Sequence, residues 1–190
     1  MRTNRPGQSA LLLLDAVEIL RQENVDYLVI GAMALSVHGT VRGTSDVDAL
    51  LHIAPTQIPR LRGVFERAGF GSTLHRGDEN DPIPAMLVLT DLYGNQLDLL
   101  GGLRGLDSKV FSRGIDVPFL GETLRIVGLE DFIAMKCFAG GPQDMLDARS
   151  AYVSARGPLD LDLLRTVARR FGRGAADRVE QVLAAPPAGA

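Results

Sequence analysis

The stretch Thr44-Ser45-Asp46-Val47-Asp48-Ala49-Leu50-Leu51 decides the reading of this chain. If the residues from Asp48 to His52 run as a strand, positions i and i+2 point to the same face. Asp46 and Asp48 then stand side by side at the mouth of that strand. Like charges this close repel and resist desolvation, so a fold keeps such a pair chiefly where a cation neutralises it. Hard oxygen ligands at this spacing suit Mg²⁺, which takes one or two carboxylates and completes its shell with substrate phosphates. The pair predicts a metal site that handles a nucleotide.

Working outward, Tyr27 to Ile30 is short, apolar and partly β-branched, and reads as a buried strand. Gly31 turns the chain into a short helix over Ala32 to Val37, and Val47 to Ile53 is the next strand. Ser9 is placed to cap a helix carrying Leu12, Leu13, Val17 and Leu20 at helical spacing. Met1 to Gln8 is polar and is expected to fray. Gln57 to Ala68 reads as an amphipathic helix stopped by Gly69, and Arg76 to Pro84 as an acidic loop. Met86 to Leu89 and Gln96 to Leu100 flank the hairpin signal Tyr93-Gly94-Asn95. Leu124 to Val127, entered through Gly121, is a further strand. From Leu129 onward the pattern turns helical, over 129–138, 142–154, 161–171 and 175–183. Strands with helices come first and helices follow. The expected fold is therefore α/β (α+β), a short mixed sheet flanked by helices with a helical C-terminal part. The expected division is a core over 1–128, a helical part over 129–185 packed on it, and a disordered tail over 186–190.

The 190 residues suit one domain with a small helical appendage. A hydrophobic share of 46% supports a sizeable core, and the formal charge of −3 argues against a globally basic nucleic-acid binder. Cys137 is the only cysteine, so no internal disulfide forms and a reducing compartment is expected. The apolar run Ala10 to Leu14 ends at Asp15, far short of a membrane span. Arg2 and Arg5 precede it without a small-residue cleavage pattern. These features predict a cytoplasmic protein.

Asp98, in Gln96-Leu97-Asp98-Leu99-Leu100, interrupts an otherwise apolar strand. Alone it would be an outward-facing strand residue. Beside Asp46 and Asp48 it completes a set that can hold two metals for in-line phosphoryl or nucleotidyl transfer. Gly31, without a Cβ, would let a phosphate approach the backbone where a helix begins, although a plain tight turn uses a glycine equally well. No G-x-G-x-x-G and no Walker lysine is present. Leu129, Phe132, Ile133 and Lys136 keep i, i+3, i+4, i+7 spacing, which puts the lysine on an inward stripe where its charge needs a partner. That partner is either Asp144 and Asp147, at i, i+3 on the next helix, or a nucleotide phosphate. His38 reads as a helix-end residue bonded to backbone. Arg165, Arg169 and Arg173 read as a solvated face, and Cys137 as a small core residue.

Gly31-Ala32-Met33-Ala34-Leu35, His38-Gly39, Arg42, Thr44, Asp46 and Asp48 resemble the polymerase-β-type nucleotidyltransferase superfamily. They are most similar to its minimal bacterial AbiEii-like branch, which includes toxins of type IV toxin–antitoxin systems. Asp98 matches the third acid of that pattern. Lys136, followed by Gln143-Asp144-Met145-Leu146-Asp147, resembles the downstream lysine and K/Q-D-x-x-D motif. The resemblance covers roughly residues 25 to 150. Ala32 departs from it where relatives carry Gly or Ser, and Gly141 where many toxins carry Arg.

The resemblance implies a Mg²⁺-dependent (or Mn²⁺-dependent) nucleotidyltransferase moving a nucleoside monophosphate from an NTP to an acceptor hydroxyl. Asp46, Asp48 and Asp98 would bind metal and, with Lys136, carry catalysis. Gly31, Ala32, Arg42, Thr44, Ser45, Lys136 and Asp144 would contact the nucleotide. In the resembling toxins the acceptor, where known, is tRNA and the partner is an antitoxin protein. Two alternatives stand: a small-molecule, antibiotic-type nucleotidyltransferase, and a non-catalytic nucleotide-binding module. Three retained carboxylates argue against the last.

Overall fold

The computed structural model describes residues 1–44 and 46–184. The chain divides into two compact units, each assembled from separate stretches. The first comprises Met1–Gly31, Gly43–Arg104 and Asp116–Ile126, and the second Ala32–Arg42, Gly105–Ile115 and the residues from Val127 onward.

The first unit is built on a sheet of β1 (Tyr27–Ile30), β2 (Asp46–Leu51), β3 (Gly71–Arg76), β4 (Ala85–Thr90), β5 (Gln96–Leu100), β6 (Ile115–Phe119) and β7 (Glu122–Ile126). Their spatial order is β3-β4-β5-β2-β1-β7-β6. Strands β1/β2, β3/β4 and β4/β5 run antiparallel, whereas β2/β5 and β1/β7 run parallel, so the sheet is mixed as expected. Val47 and Ala49, Leu87 and Leu89, and Leu97 and Leu99 are buried on one face. Helices α1 (Ser9–Gln22) and α3 (Ile58–Arg67) cover that face with Leu12, Leu13, Leu20, Ile58, Leu61 and Phe65. Each such side chain contributes roughly 1.5–3 kcal/mol on leaving water. On the other face Asp46, Asp48, Gln96, Asp98, Met86 and Val88 are only half-buried while Leu50 and Leu100 are buried, so that face is open toward the starts of β2 and β5.

The second unit contains most of α2 (Gly31–Val37), together with α4 (Val110–Arg113), α5 (Leu129–Ala139), α6 (Pro142–Val153), α7 (Leu161–Arg170) and α8 (Arg173–Ala184). Helix α5 packs against α6, α7 and α8, and its Phe132, Ile133 and Ala134 are buried there. Asp160 caps α7 by accepting from the Leu163 N–H (2.9 Å). Gly140, at φ +67°, ends α5 in the left-handed conformation that favours glycine. No described helix is long and apolar enough to cross a membrane.

Two local expectations are corrected. Ser9 does not cap α1. It lies inside the first turn behind Gln8, and its buried hydroxyl accepts instead from the Gln96 N–H (3.1 Å). Nor is Met1 to Gln8 loose. The Arg2 N–H donates to Asp15 (2.7 Å), Arg2 pairs with Glu122 (2.9 Å), and the Gln8 N–H donates to buried Asn95 (2.6 Å). Polar residues hold that segment, and a hydrophobicity reading does not register them. The expected tail over 186–190 lies outside the described residues.

Candidate active site

Asp46 is the first residue of β2 and Asp48 the third, so both project to the open face, while Val47 and Ala49 are buried on the other. Parallel pairing sets Asp48 directly opposite Asp98 of β5, and Asp46 opposite Gln96. The three carboxylates therefore share one face of two adjacent strands, about 4.8 Å apart in the sheet direction. Asp98 is perturbed where it stands. Its carboxyl is raised above the ordinary 3.8, chiefly by burial and further by the negative charge of Asp46. A hydrogen bond from Gln96 (Nε2–Oδ1 2.9 Å) and the charge of His75 act in the opposite direction.

Gly31 closes this group on the β1 side. Its φ is +65°, and a Cβ there would collide with the Asp48 carboxylate. The glycine is thus required twice, for its backbone angle and for the room it gives Asp48. Thr44 secures the entrance to β2: its hydroxyl donates to the Asp46 carbonyl (2.8 Å) and accepts from the Asp46 N–H (3.3 Å). Ser45 lies outside the described residues.

The other expected site residues gather in the second unit. Lys136 Nζ lies 2.8 Å from Asp144 Oδ1 and 2.9 Å from Asp147 Oδ2. Burial would push the ammonium down, but the two carboxylates outweigh it and the lysine ends above its ordinary 10.5. Of the two partners the sequence allowed, the carboxylates are therefore present. Arg42 Nε stands 3.6 Å from the other oxygen of Asp147, which also accepts from Gln143 Nε2 (2.8 Å). Ala32 is buried, with 2% exposure, and its carbonyl accepts from the Ser36 hydroxyl (3.0 Å). His38 Nε2 bonds the Val127 carbonyl (2.8 Å), and burial lowers its basicity. Arg165 is paired with Glu180 (2.7 Å) and Arg173 with Asp177 (3.8 Å), as a solvated helix face requires. Cys137 is buried and its thiol is pushed up to about 12, so it is inert.

Two contributors, Gln96 and His75, escape a reading by sequence, as does the hold of Asp147 on Arg42 in addition to Lys136. Gln96 was legible only as the i−2 neighbour of Asp98. His75 sits on β3, a strand without apolar alternation. Asp147 binds two cations far from each other in the chain. The first unit also holds a cleft of about 370 Å³ lined by Arg21, Tyr27, Asp116 and Arg125, which includes none of the expected site residues.

Among the described residues, no three His, Cys, Asp or Glu side chains close into a ready-made metal cage. The donor set nonetheless fits a divalent cation of the Mg²⁺ type. It is oxygen-only and open on one side, the arrangement expected where phosphate oxygens complete the shell.

A mixed sheet with helices on one face is the nucleotidyltransferase fold, shared with several solved structures. One is the antibiotic-resistance factor ANT(2'')-Ia, with 14% identity and a TM-score of 0.59, covering 92% of this chain and 95% of that one. Another is the lincosamide antibiotic adenylyltransferase LnuA, with 11% identity and a TM-score of 0.50, covering 79% and 98%. A third is an antigenic nucleotidyltransferase-like protein from Paracoccidioides brasiliensis, with 15% identity and a TM-score of 0.52, covering 94% and 93%. The chain itself belongs to the family described as nucleotidyltransferase of unknown function (DUF6036), matched over residues 11–180. No curated protein matches the sequence.

Proposed function

We propose that this nucleotidyltransferase transfers a nucleoside monophosphate from an NTP to a hydroxyl of a small-molecule acceptor. One observation carries the chemistry: the parallel register that sets Asp48 beside Asp98, with Asp46 on the same face. Asp46 and Asp48 would hold Mg²⁺ or Mn²⁺, with Asp98 contributing to one ion. When bound, the metal supplies Lewis-acid stabilisation of the charge that develops on the transferred phosphoryl group. Asp98 accepts the proton of the acceptor hydroxyl. The hydroxyl oxygen forms a bond to the α-phosphorus, the bond from that phosphorus to the bridging oxygen breaks, and pyrophosphate leaves. A raised carboxyl is the better base near neutrality, because its conjugate acid lies closer to the working pH. Gly31 keeps Asp48 in place and Thr44 braces the entrance to β2, while Arg42 and Lys136 would offset the charge of the triphosphate.

The small acceptor is favoured by the surface charge. Arg165 is paired with Glu180, Arg173 faces Asp177 on the same exposed surface, and the formal net charge is −3. RNA binding draws instead on arginines available to phosphates. ANT(2'')-Ia, which shares the fold, has been seen with adenylyl-2''-tobramycin, a nucleotidylated small molecule. The second reading is an AbiEii-like toxin acting on tRNA beside a cognate antitoxin. It is supported by the resemblance of His38-Gly39, Arg42, Thr44 and the Asp46/Asp48 pair to that branch.

Incubating the protein with Mg²⁺, each α-labelled NTP in turn, and either tobramycin or total RNA separates the readings. Label on the aminoglycoside supports the first and label on RNA the second. Label on neither, with Mg²⁺ or Mn²⁺, overturns the transferase assignment for both acceptor classes.

A further inference from the structure

We propose that Asp147 is a positioning residue that yokes Arg42 and Lys136 into one fixed pair of cations, and that Asp144 is the partner Lys136 exchanges for a phosphate of the nucleotide. The proposal rests on the nucleotidyltransferase reading above and adds how its phosphate-facing cations are kept ready. Asp147 is 2% exposed and lies between the two cations, with one oxygen 2.9 Å from Lys136 Nζ and the other 3.6 Å from Arg42 Nε. Gln143 Nε2, 2.8 Å from the Arg42-side oxygen, fixes the orientation of the carboxylate. A carboxylate this buried is held in place by its partners, because an uncompensated charge there would be severely penalised.

The two cations come from different stretches of chain, Arg42 from the loop after α2 and Lys136 from α5. Without Asp147 nothing in this group would hold two positive charges beside each other, since they repel. The Arg42 Nε, buried and without a hydrogen bond, relies on this charge contact.

Asp144 differs in kind. Its side chain is 28% exposed and, among the described residues, its ion pair is with Lys136, Oδ1 2.8 Å from Nζ. A lysine ammonium has three donors and no acceptor. One can stay on Asp147 while a phosphate oxygen replaces Asp144 on another. Phe132, whose ring centroid lies 5.9 Å from Nζ, backs the ammonium during the exchange. The order of exposure sets the order of release, with the solvated carboxylate yielding and the buried one remaining.

The test is calorimetric binding of each Mg·NTP to the full chain, with steady-state kinetics and thermal melts alongside. Asp147→Asn keeps the shape and removes the charge. It is expected to raise the Kd and KM for NTP at least about tenfold while kcat stays within about threefold, the range typical when a group that orients a ligating residue is lost. Asp144→Asn is expected to bind NTP more tightly than the parent, because no carboxylate then competes with the phosphate for Lys136. A purely structural Asp147 would lower the melting temperature and leave the affinity of the folded protein unchanged, which overturns the proposal. Asp144→Asn weakening NTP as much as Asp147→Asn overturns the exchange. If Asp147→Asn does not fold, exposed Gln143→Met serves instead: it loosens Asp147 without removing a charge. A rise in NTP Kd with an unchanged melt then supports the proposal, and an unchanged Kd overturns it. A parent protein that binds none of the four NTPs overturns the nucleotidyltransferase reading and this inference together. NTP binding that ignores Asp147 overturns this inference alone.

Discussion

At Gly31 a single hydrogen atom in place of a methyl group decides whether Asp48 can occupy its position. Gly31→Ala must adopt a positive φ, at a cost of about 1–2 kcal/mol, and must also displace the Asp48 carboxylate. The expected outcome is a folded protein with a modestly lowered melting temperature and transfer activity reduced by orders of magnitude, read by melts and labelled-NTP assays on one sample. Asp98 gives a prediction with a pH sign. Its folded carboxyl is raised, so the folded chain holds that proton more tightly than the unfolded chain does. The contribution to stability is full below 3.8 and is lost as pH rises through the folded value, which leaves ionised Asp98 a net penalty at neutrality. Asp98→Asn should therefore melt higher than the parent at pH 7, and the difference should vanish as pH falls below 3.8. It should abolish turnover while sparing NTP binding. A lower melt at pH 7 would show that Asp98 is held by partners that reward its charge.

At the scale of elements, the pairing of α5 with α6 rests on Lys136, Asp144 and Asp147 around the Gly140-Gly141 corner. Lys136→Ala leaves a carboxylate of 2% exposure short of a cation, and breaking such a pair typically costs about 3–5 kcal/mol. Lys136→Ala with Asp147→Ala should recover part of that loss, because the orphaned charge is gone. Denaturant melts of the two single variants and the double variant measure the coupling. Legibility in the sequence also differs by element. Helices α5 to α8, and strands β1, β2, β4 and β5, announce themselves by apolar periodicity, because one face of each is buried. Strand β3, Gly-Ser-Thr-Leu-His-Arg, is largely exposed at the sheet edge and carries no such pattern, so the charge of His75 acting on Asp98 across β4 could not be read from the sequence. Strand β6 contains Pro118, which an edge strand tolerates but which hides it from a propensity reading. The Asp46/Asp48 pair was legible because i, i+2 geometry is local, and Asp98 because it interrupts an apolar strand, but its place opposite Asp48 comes from the β2/β5 pairing. The double hold of Asp147 on Arg42 and Lys136 was not, because it joins residues that only the folded chain brings together.

At the scale of the whole molecule, the open carboxylate face predicts linked binding. Mg²⁺ should bind weakly alone and much more tightly with NTP, because phosphates complete the shell. Equal affinities by calorimetry with and without NTP would count against metal held by Asp46, Asp48 and Asp98. The discontinuity of the two units carries a further prediction. Ala32–Arg42 and Gly105–Ile115 belong with the helices from Val127 onward, so a chain truncated after residue 128 loses the partners of Leu35, Val110 and Phe111. It should fail to give a cooperative melt, whereas the full chain melts cooperatively.

The same threading bears on how such a protein can change over time. A contiguous domain can be lifted from one gene and joined to another in a single recombination. Here the backbone leaves one unit for the other after residues 31, 42, 104, 115 and 126, so no single crossover exchanges either unit intact. Exchange of either unit therefore disturbs the other, and the two are tied to a common inheritance.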